Sequence, residues 1–380
     1  MAEPFKNQIN AALLRTMASH LARVWPAFPE ARFMEACLKG LDALELKERV
    51  THVRAALEQT LPAAFPDAVE ILERSLAPAP EGEDLGALRT GPDGLAGWPV
   101  WPMTDYVAVR GTEHPIRALA ALREMTLRFS SEFAIRPFLD RDPEGTLRVV
   151  KTWVHDPSPH VRRLASEGTR PRLPWGLRLQ RFVADPAPCL PILDALYRDP
   201  SEYVRRSVAN HLNDISKDHP DLAVEIAGRW LKSGDAATRK LVSHALRGLV
   251  KAGFSPALAL LGFNGGKGIE LRGFKLSPKA LAVDEALTLV FTLANTGGRP
   301  ATLVIDYAIH HMKSDGDLRP KVFKGTRRTL APGETATVTL RHVVRTVTTR
   351  RYYPGRHEVD VRVNGRVLAR GIFTLRTKAC

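Results

Sequence analysis

Glu132 lies in RFSSEFAIRPFL, residues 128–139, between two serines and an apolar run, five residues ahead of Pro137. Phe129 and Phe133 are spaced one helical turn apart, which predicts a helix with a buried side. Proline lacks an N–H and its ring collides with the carbonyl four residues back, so that helix is expected to end or bend just after Glu132. This is an awkward place for a charge unless the charge faces a groove. Glu167, Asn210 and His244 hold equivalent positions in three related segments, each one turn beyond a basic pair. Asp214 follows Asn210 by four residues, on the same side of a helix. Trp175, in RPRLPWG, comes after the first of these segments in a proline-rich bend. Carboxylates and an indole can therefore meet in the middle of a basic groove. Carboxylates repel phosphates, so their presence there makes sense if something cationic has to be stabilised.

Other chemistries find little support. The 12 histidines include no HExxH spacing, and His310 and His311 would point to opposite faces of a strand. There is no GxSxG elbow. The 3 cysteines, Cys37, Cys189 and Cys380, are scattered and form no CxxC pair, which argues against a disulfide framework or a cysteine zinc site. No metal and no cofactor are expected.

The elements that must position these residues read as helical from residue 1 to about 261. HDPSPHVRRLASEG, from His155, matches RDPSEYVRRSVANH, from Arg198, at an offset of 43; a weaker copy, ATRKLVSHAL from Ala237, follows at an offset of 34. Ser158 and Ser201 are natural N-caps, and Pro159 suits a first helical position. Repeats of about 40 residues built from helix pairs predict a HEAT-like α-solenoid whose stacked second helices line the concave face. Arg162 and Arg163, Arg205 and Arg206, and Arg239 and Lys240 then form a ladder of positive charge matching a DNA phosphate backbone. The competing view is a solvated face with local ion pairs, such as Arg163 with Glu167.

Residues 77–103, rich in Pro and Gly, read as a long surface loop whose end is plugged onto the core by Trp98 and Trp101. Residues 262–267 read as a linker. Beyond it, residues 268–380 alternate as strands: Leu287, Leu289, Phe291 and Leu293 on one side, and Val359, Val361 and Val363 before an Asn364-Gly365 hairpin turn. Several short strands over about 110 residues predict an immunoglobulin-like β-sandwich. This part holds 20 Lys+Arg against 9 Asp+Glu, so it carries +11 of the chain's net +14. RPKVFKGTRR, with Lys324, Arg327 and Arg328, and RTVTTRRYYPGR, with Arg350 and Arg351, combine cations and aromatics in a way that suits grasping a duplex. Charge that protects an edge strand is the alternative.

At 380 residues, with 44% hydrophobic residues and a pI near 10, the chain is expected to hold more than one domain and to favour a polyanionic partner. No run of about 18 apolar residues appears and the N-terminus makes an unconvincing signal peptide, so a cytoplasmic protein with no membrane partner is expected.

Three long segments resemble the AlkC type of HEAT-repeat DNA alkylation-repair glycosylases: AVRGTEHPIRALAALREMTLRFSSEFAIRPFL from Ala108, ASEGTRPRLPWG from Ala165 and VANHLNDISKDHP from Val208. A terminal immunoglobulin-like domain is also a trait of that family. The resemblance implies hydrolysis of the N-glycosidic bond of N3-alkylated bases, chiefly 3-methyladenine, in double-stranded DNA. It also implies engagement of the lesion without full extrusion. It carries over Glu132, Glu167 and Asp214 as catalytic carboxylates and Trp175 as the residue packing on sugar or lesion. The enzyme is expected to be a monomer and monofunctional. The competing reading is a non-catalytic scaffold that binds nucleic acid or a protein.

Overall fold

A computed structural model describes residues 4–80, 88–232, 234–263, 268–347 and 351–376. Arg350, Cys380, positions 81–87 of the long loop and positions 264–267 of the linker lie outside the described residues. The chain divides into two compact units, Met1–Asp218 with Ser233–Ala245, and His219–Lys232 with Leu246–Cys380.

Six helices, α1 (Ala11–Val24), α2 (Glu30–Leu38), α3 (Leu46–Thr60), α4 (Phe65–Arg74), α5 (Val100–Arg110) and α6 (Pro115–Met125), precede Glu132. They are followed by α7 (Arg136–Arg141), α8 (Pro143–Val150), α9 (Pro159–Gly168), α10 (Gln180–Ala184), α11 (Leu190–Leu196) and α12 (Glu202–Ile215). After α13 (Pro220–Leu231) comes α14 (Ala236–Ala245), and α12 packs between α9 and α14. These three are the second helices of the HEAT-like repeats, stacked in chain order. The DPS motif explains their starts. Asp156 accepts from the Ser158 N–H and Asp199 from the Ser201 N–H, both at 2.9 Å. Ser158 then accepts from the His160 N–H and Ser201 from the Val204 N–H, both at 3.3 Å. In α14 the same cap is made by Asp235, which accepts from the Thr238 N–H at 2.6 Å.

The helix expected through Phe129 and Glu132 is not there. Helix α6 ends at Met125, residues 126–135 run through turns, and Pro137 lies in the first turn of α7, where its missing N–H costs nothing. Phe129 and Phe133 are still on one side because both stack on Trp101, with ring centroids 5.8 and 5.5 Å away. Trp98 packs on the same group. Helix α5 thus cuts the expected loop short at residue 99, and Trp98 at its end and Trp101 in the first turn of α5 form the floor under the Glu132 turn.

The second unit contains α13, α15 (Arg247–Ala252), α16 (Ser255–Leu260) and eight strands. These are β1 (Ile269–Ser277), β2 (Ala280–Ala282), β3 (Ala286–Asn295), β4 (Ala301–Met312), β5 (Leu318–Leu330), β6 (Thr335–Val343), β7 (Gly355–Val363) and β8 (Arg366–Arg376). One sheet has the order β1-β3-β6 and the other β2-β8-β7-β4-β5. Leu287, Leu289, Phe291 and Leu293 of the first share a core with Val359, Val361 and Val363 of the second, giving an immunoglobulin-like sandwich. Asn364 and Gly365 turn β7 into β8 with φ of 46° and 77°, as a type I′ turn requires. Among the described residues no helix is long and apolar enough to cross a membrane.

Candidate active site

The three carboxylates fall on one buried chain of alternating charge within the first unit. Glu132 Oε2 accepts from Arg163 Nη1 at 2.7 Å and from the Ser130 hydroxyl at 2.8 Å. Arg163 Nη2 reaches Glu167 at 3.7 Å. Glu167 accepts from Arg170 Nη1 and from the Ser207 hydroxyl, both at 2.6 Å. Arg170 Nε donates to Asp214 at 2.8 Å, and Lys217 Nζ donates to the other Asp214 oxygen at 2.8 Å. Glu132 and Asp214, far apart in sequence, are therefore two guanidinium groups apart in one network.

The elements explain the convergence. Helix α9 supplies Arg163 and Glu167 one turn apart, and α12, stacked on it, supplies Ser207 and Asp214. His211 ties the two helices: its Nδ1 lies 3.0 Å from the Ser166 carbonyl, which can only accept, so the proton is on Nδ1. Asn210 and His244, the equivalents of Glu167 in the later repeats, contact each other at 3.0 Å.

Burial makes these charges strong. Glu167 is 5% and Asp214 1% exposed. Burial alone would raise the Glu167 pKa, but Arg163 and Arg170 outweigh it and hold the carboxyl below its ordinary value, ionised. Burial likewise opposes the Arg163 charge, yet Glu132 and Glu167 keep its pKa above the ordinary arginine value. The Tyr203 ring lies 5.0 Å under the Arg163 guanidinium. The arrangement is an array of carboxylates fixed between guanidinium groups, two of them buried, suited to stabilising a nearby positive charge.

Trp175 is 64% exposed and has a φ of 66°, the left-handed region that a tryptophan rarely adopts. Its carbonyl accepts from Lys47 Nζ of α3 at 2.9 Å. It stands on the segment that follows Glu167 and Arg170, with the indole turned to solvent.

The expected ladder of basic residues separates into two kinds. Arg162 is bound to Asp199 at 2.6 and 3.1 Å and to the Asp156 and Pro157 carbonyls, both at 2.9 Å. Arg205 makes the same turn back to the Asp199 and Pro200 carbonyls, and Arg239 to Gly234. The first residue of each pair thus staples the capping turn of its own repeat; Arg162 is in addition held by the buried Asp199, whereas Arg205 is half-buried and Arg239 exposed. Arg163 is turned into the acidic chain. Arg206 and Lys240 are exposed and share Glu202, at 3.7 and 2.7 Å. With Arg205 and His244 they line a groove of about 150 Å³ between α12 and α14.

In the second unit Lys324, Arg327 and Arg328 lie on β5, an edge strand, opposite Asp306, Val304 and Leu303 of β4. Arg327 lies 5.4 Å over the Phe263 ring and Arg351 5.5 Å over Tyr353. The edge position fits both a protected edge and a duplex-facing row.

Sequence reasoning missed Arg136, Arg170 and Lys217. Each is a single cation in an irregular or helix-end segment. The available signal was that carboxylates drawn into a packed interior need partners of opposite charge.

Known proteins share this arrangement of units. Residues 270–377 match the family described as "Uncharacterised protein YhaZ, C-terminal Ig-like domain". The chain is 38% identical to the uncharacterized protein YhaZ of Bacillus subtilis (strain 168), over 95% of this chain and 96% of that one. It is also 38% identical to the alkylpurine DNA glycosylase AlkC of Pseudomonas fluorescens in its structure bound to DNA containing an abasic site analog. That match covers 98% of this chain and 100% of AlkC with a TM-score of 0.89. Likeness at this level across nearly the full length of both relatives means that the chain belongs to the AlkC-type family of alkylpurine DNA glycosylases.

Proposed function

We propose that this protein hydrolyses the N-glycosidic bond of cationic N3-alkylated purines, chiefly 3-methyladenine, in duplex DNA. The observation that carries the reading is the buried run Glu132–Arg163–Glu167–Arg170–Asp214 with the exposed Trp175 on the adjoining segment. An N3-methylated adenine carries positive charge and leaves as a neutral base. Its departure moves the charge to the sugar, as in other glycosidic cleavages with an oxocarbenium-like transition state. Asp214 and Glu132 stabilise that sugar and orient the water that adds to C1′, with Glu167 third. The water's proton passes to solvent or a carboxylate, leaving an abasic sugar. The Trp175 indole packs on the deoxyribose or the cationic base. A leaving group already charged needs no acid deep in a pocket, so full extrusion of the base is unnecessary. That AlkC of P. fluorescens was captured on DNA containing an abasic site analog, the form that base release leaves, supports this reading.

Arg205, Arg206, Arg239, Lys240, Lys324, Arg327, Arg328, Arg350 and Arg351 are proposed to contact phosphates, while Arg162 and Arg163, first expected to do so, are proposed to hold Asp199 and the acidic chain instead. The protein is proposed to act as a cytoplasmic monomer without cofactor and without cutting the strand.

The test is chromatography of bases freed from methylated duplex DNA. Asp214→Asn or Glu132→Gln should keep DNA binding and lose on the order of 10²-fold or more in rate. Wild-type rates in both variants would refute the assignment. No base release by the wild type from any alkylated substrate would favour the scaffold.

A further inference from the structure

One cation in the centre of the first unit has no place in the scheme above. Arg136 opens α7, four residues after Glu132, and is fully buried. A buried guanidinium is expensive, and an apolar side chain of similar volume is often at least as stabilising. Burial, and after it the charge of Arg170, lower the Arg136 pKa to about 10, while Asp214, Glu132 and Glu167 hold it up. Its placement is therefore not explained by stability alone.

Its hydrogen bonds show what it holds. Nη1 donates to the Gly168 carbonyl at 2.8 Å and Nε donates to the Leu177 carbonyl. Gly168 is the last residue of α9, and Leu177 lies two residues beyond Trp175. One planar group thus grips both ends of the segment 168–177, the segment that carries Arg170 and Trp175. Within it Gly176 N–H donates to the Leu173 carbonyl at 3.2 Å, closing the bend. Gly176 lies so close over the clasp that a Cβ there would stand 3.1 Å from Leu173 Cδ2 and 3.2 Å from both Arg136 Cδ and Nε. The backbone of the bend rests on the guanidinium just where Trp175 takes its left-handed φ. A strained residue persists only where its surroundings over-determine it. Here the surroundings are Lys47 on the Trp175 carbonyl and Arg136 on the two ends of the bend.

We infer that Arg136 is a positioning residue that clasps segment 168–177 and thereby fixes the Trp175 indole relative to Glu132. It does not touch the reacting atoms. Arginine is needed because two carbonyls are held by donors of one rigid fork; lysine supplies the charge but a single donor centre. For its catalytic consequence the inference rests on the glycosylase reading, while its structural content does not.

The experiment uses the full chain labelled with 5-fluorotryptophan. The protein has 6 tryptophans, and Trp175→Phe identifies the Trp175 fluorine resonance. Arg136→Lys and Arg136→Gln should shift or broaden that resonance and leave the other tryptophans in place. On methylated DNA, kcat should fall on the order of 10²-fold, as for other misplaced groups, with KM for DNA little changed because phosphate contacts dominate affinity. Gly176→Ala keeps Arg136 but presses a methyl group on it, and should move the same resonance even if the Arg136 variants fail to fold. A Trp175 resonance unaltered in Arg136→Lys and Gly176→Ala would overturn the inference, as would a kcat loss with that resonance unmoved. Absence of base release by the wild type would instead count against the functional reading, and the fluorine spectra would still decide the clasp.

Discussion

Acid should loosen the contact between the two helices that carry Glu167 and Asp214, and His211 sets the pH at which it does so. His211 is fully buried on α12, donates through Nδ1 to the Ser166 carbonyl of α9 at 3.0 Å, and has no protein partner for Nε2 among the described residues. Burial, and then the charge of Arg170, push its pKa from 6.5 down to about 4 against the pull of Asp214 and Glu167. An unfolded histidine titrates near 6.5. Between these two values the unfolded chain binds the extra proton, so stability is complete above about 6.5 and falls as the pH drops toward 4. At about 1.36 kcal/mol per pH unit, the whole shift is worth roughly 3 kcal/mol and the part above pH 5 about 2 kcal/mol. Other groups titrate as well, so the useful quantity is a difference between two proteins. His211→Asn retains a donor for the Ser166 carbonyl and cannot be protonated. Urea unfolding at pH 7.5 and pH 5.0 should show the wild type losing about 2 kcal/mol more than the variant, even though the smaller side chain lowers the variant at both pH values. The depressed Glu167 pKa acts in a separate window, since its contribution is lost only as pH falls below about 4.3. Equal losses in wild type and His211→Asn would refute the reasoning.

Arg162→Gln should cost about 3–5 kcal/mol by leaving the buried Asp199 carboxylate without its partner, with no change in the salt dependence of DNA binding; Arg206→Gln should do the reverse. Thermal melts and binding isotherms over a salt series read both. Lys324→Gln with Arg328→Gln should lower the slope of log K against log salt by roughly 1 for each phosphate no longer neutralised, and an unchanged slope would mean that the β5 charges serve edge protection. Lys217→Met removes a half-exposed cation from Asp214 and should leave base release in place, with no strand cleavage in either protein, by gel assay of a labelled duplex. Loss of a strand-cutting activity in that variant would contradict a monofunctional enzyme.

What could be read from the sequence depended on whether local chemistry had one outcome. DPS followed by VRR has one: an Asp turn, a Ser cap and a helix start, and both copies form it. Asn364-Gly365 also has one, because an Asn-Gly pair between two strands favours the type I′ turn with both φ values positive. Two phenylalanines four apart do not. They promised a helix, yet Phe129 and Phe133 reach the same Trp101 from a run of turns, because a ring on another element, here α5, can satisfy them whether or not they are themselves helical. The basic pairs were ambiguous for a related reason. A guanidinium near a helix start can reach outward to a phosphate or back to its own capping turn, and the two choices leave the same letters in the chain. Arg162 and Arg205 turned back. Arg170 and Arg136 were invisible for the opposite reason, since each is a lone arginine whose partners are separated from it by up to 44 residues.

These unforeseen arginines resolve the tension between an acidic site and an acidic partner. Carboxylates at the floor of a phosphate-binding surface would repel DNA if their charge were felt at a distance. Arg163, Arg170, Arg136 and Lys217 lie among Glu132, Glu167 and Asp214, four cations with three anions. Beyond a Debye length of about 8–10 Å such a set carries no net negative charge, so phosphates approach without penalty. Within contact range the sum no longer cancels, because the nearest charge dominates and the surrounding dielectric is low. In the proposed reaction a sugar that becomes positive beside Asp214 or Glu132 would therefore meet an anion, while the strand that carries it would not.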